Sequence, residues 1–234
     1  MSIDEISRRK GHRTFATVVG DIDHSVLLEV IDSHRQDEII EVLKQQPIEV
    51  REQVKEVSVD MWGGFPKVVK AVFPNAKLVF DRFHVMQPIN KELNEVRKQT
   101  KMTTKGSRFI LLKNGDDLTE EERLKLDTIL SHSQRLRKAY ELKEEFRDIF
   151  ETHQTPEEGK QGILTWLNKA RLVYCDVIQM IQSHLDGICN YFISRTTSGV
   201  MEGINNKLKL IKRQAYGFTN FGNFRARLRA SFSH

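Results

Sequence analysis

Aspartates follow two apolar segments that lie close together in the chain. Residues 57–85 read VSVDMWGGFPKVVKAVFPNAKLVFDRFHV, in which Asp60 and Asp81 each come directly after a short apolar run. The intervening residues 66–73 are apolar at helical spacing and begin with proline, so we expect strand, helix and strand. Such a short unit joins parallel strands by a right-handed crossover, which brings both carboxylates to one edge of a sheet. Ligands bind at that edge, although Asp60 could instead cap the helix that follows it.

The elements that must position these side chains form a sheet at the start of the chain. β-Branched and apolar runs predict five strands, at 2–6, 14–20, 26–31, 57–59 and 76–80. Helices are expected over 36–46, within 50–57 and over 66–73. Three strands, helix, strand, helix, strand is the order of the ribonuclease H-like α/β fold. It has a mixed five-stranded sheet whose first three strands form an antiparallel meander.

A long helical region follows the last predicted strand. Thr119 with Glu122, and Thr155 with Glu158, have the form of capping boxes at helix starts. Residues 102–117, with two glycines and several lysines, are predicted to be a mobile loop. We therefore expect three parts: a first part of the core over 1–82, an all-helical insertion over 83–195, and a completion of the core over 196–234.

Three acids near the amino terminus could partner Asp60. Phosphoryl transfer by two metal ions needs about three carboxylates that converge. In an antiparallel meander, Asp21 and Asp23 end the second strand and fall on the edge opposite Asp60, in a turn for which Asp is well suited. Asp4 lies on the first strand, which in this fold lies beside the Asp60 strand and parallel to it. Topology therefore favours Asp4.

The third acid must come from the late helix predicted over 200–212. Glu202 is the only acid after Asp186, and its sequence surroundings are basic. On that helix Glu202, Asn205 or Asn206, and Lys209 occupy successive turns of related faces. An ion pair between Glu202 and a lysine of its own helix is the alternative to a role in chemistry.

Charge and composition narrow the classes of function. Residues 203–234 contain seven Lys and Arg and no acid, more than the whole chain's net charge of +5, which favours a polyanion such as nucleic acid. The candidates for contact with a DNA backbone are Lys207, Lys209, Lys212 and Arg213. No apolar run approaches the roughly 20 residues of a membrane span, and the start of the chain does not resemble a signal peptide. The two cysteines, Cys175 and Cys189, predict neither a disulfide framework nor a zinc site.

Other side chains could support the chemistry. Asp81 could assist the metal ligands or serve packing and capping, and His84 could contact a phosphate or a flipped base or be structural. Trp62, Tyr216 and Phe218 could stack on an exposed base, with packing in the core as the alternative.

Several blocks carry a resemblance to a known family. IDEISRRKGH, TVVGDID, the stretch 57–85, and above all SGVMEGINNKLKLIKRQAYGFTNFGNFRARL resemble the DDE domain of bacterial insertion-sequence transposases of the ISL type. The resemblance covers most of the chain and is weakest across the helical insertion. It implies a catalytic and metal-binding triad of Asp4, Asp60 and Glu202 with two Mg²⁺ ions, for which Mn²⁺ could substitute.

The resemblance also implies cleavage at transposon ends followed by strand transfer to target DNA. Double-stranded DNA would be the partner, with self-association as a dimer and a location in the bacterial cytoplasm at the nucleoid. Family members usually carry a cysteine-rich zinc module and a helix-turn-helix ahead of this domain, so we expect a catalytic fragment, a shortened copy or a remnant. The alternative function is an inactive remnant that only binds DNA or dimerises.

Overall fold

The computed structural model describes residues 1–7, 15–61, 64–196, 199–215 and 220–232. The chain divides into two compact units. The first contains Met1–Asp81 together with Thr196–His234, and the second contains Arg82–Arg195.

A five-stranded mixed sheet forms the centre of the first unit. Its strands are β1 (Ser2–Ser7), β2 (Phe15–Asp21), β3 (Val26–Ile31), β4 (Glu56–Val59) and β5 (Lys77–Phe80). The order across the sheet is β3-β2-β1-β4-β5. β1 pairs antiparallel with β2, and β2 with β3, whereas β1 with β4 and β4 with β5 are parallel pairs. The predicted five-stranded mixed sheet is therefore confirmed, with β1 at its centre.

Helices follow the strands in the order that the sequence predicts. Between β3 and β5 lie α1 (Gln36–Leu43), α2 (Ile48–Arg51) and α3 (Phe65–Val72). The short helix expected within 50–57 lies earlier, at Ile48–Arg51, and residues 52–55 connect it to β4. Pro66 lies in the first turn of α3, where its missing N–H costs nothing.

The described residues of the second unit form helices and their connections, with no strand among them. Its helices are α4 (Arg82–Gln99), α5 (Ser107–Leu112), α6 (Glu120–Ser131), α7 (Gln134–Thr152), α8 (Pro156–Ala170), α9 (Cys175–Ser183), α10 (Leu185–Cys189) and α11 (Tyr191–Ser194). The capping boxes are confirmed, since Thr119 accepts from the backbone N of Glu122 and Thr155 from that of Glu158, each at 3.2 Å. Among the helices described, none combines the length and hydropathy needed to cross a bilayer.

The expectation of a mobile loop over 102–117 is wrong. The segment contains α5 and a 3₁₀ turn at Gly115–Asp117. Side chains of α7 hold it in place: Lys143 donates to the carbonyl of Lys113 at 2.9 Å, and Glu144 accepts from the backbone N of Gly115 at 3.2 Å. These anchors come about thirty residues later in the chain, so the composition of the segment itself could not reveal them.

Two helices complete the first unit. α12 (Gly199–Gln214) and α13 (Phe221–Phe232) cover one face of the sheet. Apolar residues of β1, β2 and β3 pack against them in one buried cluster: Ile6, Ala16, Val18, Leu27, Val30, Met201, Ile204, Leu208, Ile211, Phe224 and Leu228. The amphipathic spacing of α12 therefore fixes which of its side chains face the sheet and which face solvent.

Candidate active site

Asp4 and Asp60 lie next to each other on adjacent parallel strands. Ile3 of β1 is the register partner of Val59 of β4, and the residue that follows each of them is an aspartate, Asp4 or Asp60. Neighbouring strands are about 4.8 Å apart, which places the two backbones within reach of a shared ligand. Both side chains are half-buried. The predicted juxtaposition of these two acids rested on strand order, and the strand order is as expected.

Two donors hold the carboxylate of Asp4. The backbone N of Glu5 donates to Oδ1 at 2.7 Å, and the side-chain Nδ2 of Asn205 donates to Oδ2 at 2.6 Å. One donor on each oxygen fixes the plane of the carboxylate. Asn205 is buried, with 6% of its surface exposed, and its Oδ1 has no hydrogen-bond partner in the described part of the chain. The sequence places Asn205 on the late helix but not at the site, because its contact lies 201 residues away in the chain.

The late helix runs along β1 in the same direction. Asn205 contacts Asp4, and seven residues later Lys212 donates from Nζ to the carbonyl of Ser7 at 2.6 Å. Seven helical residues rise about 10 Å, and three strand residues span about the same distance. The matched spacing sets the register of α12 on the sheet.

Glu202 lies one turn before Asn205 in the first turn of α12. Its side chain is exposed, as are those of Asn206, Lys209 and Arg213. At 100° per residue these four project from one narrow side of the helix, which we call the α12 stripe. The stripe carries one acid at its start and two bases at its end.

The described residues contain no group of three His, Cys, Asp or Glu side chains close enough to hold a metal ion. Asp4, Asp60 and Glu202 thus do not form a ready three-carboxylate centre in this arrangement. The chemistry of the donors nevertheless suits a hard cation: two neighbouring carboxylates and the unpartnered amide oxygen of Asn205 are the oxygen ligands that Mg²⁺ and Ca²⁺ prefer.

Glu5 is a further acid near this edge that the sequence did not single out. Burial raises the pKa of its carboxyl; the nearby charge of His34 lowers it, and those of Asp4 and Asp60 raise it further. The Coulombic effect of both aspartates on Glu5 indicates that negative charge is concentrated at this edge of the sheet, which favours cations.

The acids of the β2–β3 turn have a structural role. The side chain of Asp21 accepts from the backbone N of Asp23 at 3.0 Å and from a ring nitrogen of His24 at 2.8 Å. β2 runs antiparallel to β1, so this turn lies at the opposite edge from Asp60. The interpretation of Asp21 and Asp23 as turn residues agrees with this geometry.

Asp81 and His84 fall in different units. Asp81 directly follows β5, whose Phe80 is the register partner of Val59, and its side chain is buried with 2% exposed. Asp81 therefore comes next to Asp60 in the row of strand ends. His84 lies in the first turn of α4 in the second unit, because that helix begins at Arg82. Their supporting roles remain predictions.

The four predicted DNA-contacting bases divide into two pairs. The Nζ of Lys207 donates to the carbonyl of Ser231 at 2.6 Å and lies 4.2 Å from the centre of the Phe232 ring. Lys212 is likewise engaged with β1, and burial together with the charges of its basic neighbours lowers its pKa. Lys209 and Arg213 project from the α12 stripe into solvent. The aromatic candidates Trp62, Tyr216 and Phe218 lie outside the described residues.

Comparison with known proteins identifies relatives along nearly the whole chain. A transposase from insertion sequence element IS1001 of Bordetella parapertussis is 28% identical over 247 residues, covering 99% of this chain and 60% of the relative. A transposase from element IS1557 of Mycobacterium tuberculosis (strain CDC 1551 / Oshkosh) is 28% identical over 253 residues, covering 93% of this chain and 56% of the relative. The chain thus spans somewhat more than half the length of these relatives.

A shorter match is of a different kind. A protein from Lactococcus lactis subsp. lactis named ATP-dependent protease is 31% identical over 118 residues, which is half of this chain and 36% of that protein. Its partial coverage carries no argument about function. By contrast, the family of transposases of the DDE and ISL3 type matches residues 1–228. With that match over almost all of its length, the chain belongs to the ISL3-type family of insertion-sequence DDE transposases.

Proposed function

We propose that this chain is the catalytic domain of a DNA transposase with a ribonuclease H-like core, which cleaves DNA at insertion-sequence ends and joins them to a target. The observation that carries the proposal is the register of β1 and β4, which aligns Asp4 with Asp60, while α12 docks on Asp4 through Asn205. Glu202 lies in the first turn of the same helix, one turn before Asn205. The family membership supports the same reaction.

In the proposed site Asp4 and Asp60 would hold two Mg²⁺ ions, for which Mn²⁺ could substitute, and Glu202 would complete the ligand set. When bound, such cations lower the pKa of the attacking water and stabilise the charge that develops on the scissile phosphate. Glu202 is exposed in the first turn of α12, one turn before Asn205, so its carboxylate would be available to the cations from that helix. The hydrogen bonds to Asp4 keep one ligand oriented throughout.

In this proposal the basic end of the α12 stripe binds the DNA substrate. Lys209 and Arg213 lie two and three turns beyond Glu202 and would contact phosphates of double-stranded DNA on either side of the scissile bond. Such contacts position a backbone without reading its sequence. We further propose that the protein acts as a dimer at the nucleoid in the bacterial cytoplasm, because joining two transposon ends calls for two catalytic domains.

The experiment compares Asp60→Asn with Asp23→Asn on DNA that carries the ends of the encoding element. Both changes remove one carboxylate charge, but Asp23 lies in the turn at the opposite edge of the sheet. We expect nicking and joining in Mg²⁺ or Mn²⁺ by the wild type and by Asp23→Asn, and at least a hundredfold loss in Asp60→Asn. Wild-type protein that binds this DNA and never cleaves it would refute the proposal and support a remnant that only binds DNA.

A further inference from the structure

We propose that Asn205 is a positioning residue that orients the Asp4 carboxylate and turns its own amide oxygen toward the divalent cation of the site. The inference rests on the proposed function in one respect, namely that Asp4 is a metal ligand. It adds a residue of different chemistry, a neutral amide, to the three carboxylates.

The first observation is the direction of the amide. An amide nitrogen is a donor and a carboxylate accepts only, so the contact of 2.6 Å between Asn205 and Oδ2 of Asp4 must involve Nδ2. That assignment leaves Oδ1 as the other end of the same planar group. The oxygen therefore lies close to the Asp4 carboxylate without bonding to it.

The second observation is that this oxygen is buried and has no hydrogen-bond partner among the residues that the structure describes. Buried acceptors are nearly always satisfied, so an orphaned one calls for an explanation. A cation, or a water molecule that a cation carries, supplies the missing partner. Asn carbonyl oxygens are ordinary ligands of hard divalent cations.

The third observation is the apolar surroundings of Asn205. The other buried residues on this side of α12 are Met201, Ile204, Leu208 and Ile211. A leucine at position 205 would continue that apolar face, but it would lose the hydrogen bond to Asp4. A buried amide is thus the exception on this face, and the side chain to which it donates a hydrogen bond is a predicted metal ligand.

The arrangement also explains how a helix 201 residues away in the chain is tied to β1 at the site. The same amide that orients Asp4 fixes the position of α12 along β1, and with it the position of the first turn, which contains Glu202. Residues that orient metal ligands typically change metal affinity by about 10–100-fold when removed. We expect Asn205 to fall within that range.

The test measures binding of Mn²⁺ alone, without DNA, by calorimetry and by the shift it causes in Tm. Asn205→Leu should raise the Kd for Mn²⁺ by about tenfold or more and reduce the Mn²⁺-induced rise in Tm. Asn206→Leu, an exposed neighbour on the α12 stripe, is the matched control and should bind Mn²⁺ like the wild type.

Asn205→Asp keeps the shape and tests the same idea in the opposite direction. It places a second carboxylate against Asp4, so the protein without metal should melt at a lower temperature than the wild type, and Mn²⁺ should restore more stability than it gives the wild type. A role in packing alone predicts instead a lower Tm for both variants and a wild-type response to Mn²⁺.

The outcomes separate the two levels of the proposal. Wild-type binding of Mn²⁺ with unchanged affinity in Asn205→Leu would overturn the role of Asn205 and leave the metal site standing. If neither the Tm nor the calorimetric signal of the wild type responds to Mn²⁺, the wild type behaves like Asp60→Asn, in which the site is disabled. That result would overturn the metal site and this inference together.

Discussion

Replacing Lys209 and Arg213 together by alanine should weaken DNA binding in a manner that depends on salt. Both side chains project from the α12 stripe into solvent. Each phosphate contact contributes about 0.9 to the slope of log K against log salt concentration, so loss of two contacts should lower that slope by about 1.8. At 0.1 M salt the same relation predicts a loss of affinity of about 60-fold.

The control is the double variant Lys207→Met with Lys212→Met, which removes the same number of charges from the same helix. Their ammonium groups donate to the carbonyls of Ser231 and Ser7 and are turned toward the protein. We expect a lower free energy of unfolding, by about 1 kcal/mol for each lost hydrogen bond, with a salt slope much closer to that of the wild type.

Fluorescence anisotropy with a labelled duplex, titrated at several salt concentrations from 50 to about 200 mM, measures both slopes. Urea unfolding of each variant without DNA separates binding from stability. Equal loss of slope in the two double variants would show that net charge alone matters, and would refute the division of the four bases by the direction of their side chains.

Three further changes test the packing and electrostatics of the two units. Gly159→Ala should destabilise the second unit by about 1–3 kcal/mol, measured by urea unfolding, because an added Cβ would lie 2.2 Å from the ring of Phe192. Burial alone would raise the pKa of Glu29, but hydrogen bonding from Arg225 lowers it below its usual range. Unfolding at pH 7 should therefore show a lower free energy of unfolding for Glu29→Gln than for the wild type. This difference should be lost as the pH falls through the folded-state pKa of Glu29. Lys143→Ala should release the 3₁₀ turn before α6, which limited proteolysis would detect as earlier cleavage there.

The strands and their order could be predicted from the sequence because their signals are local. β-Branched runs mark the strands, and the helices between β3, β4 and β5 leave few topologies for a mixed sheet. The choice of Asp4 over Asp21 followed from that topology alone, since antiparallel pairing sends the end of β2 to the opposite edge. The sheet edge at which a residue lies can therefore be predicted from the sequence when it depends only on the order and direction of the strands.

Features that depend on distant partners could not be predicted in this way. The role of Asn205 is visible only when Asp4 is placed beside it, and the order of the segment 102–117 depends on side chains of α7. Lys207 and Lys209 have the same charge and lie two residues apart, yet one ammonium contacts its own chain and the other faces solvent. The sequence gives the charge of a lysine, whereas the direction of its side chain depends on the folded structure.

The docking of α12 on β1 has a consequence for synthesis on the ribosome. The sheet face beneath α12, including Ile6, Val18 and Leu27, is complete before the second unit is made, while the helix that covers it comes after residue 195. At about 5–20 residues per second, the second unit takes roughly 6–23 s to translate. During that interval the nascent first unit displays an apolar face, so a chain halted there would be prone to aggregate. It would also lack Glu202, the proposed third metal ligand.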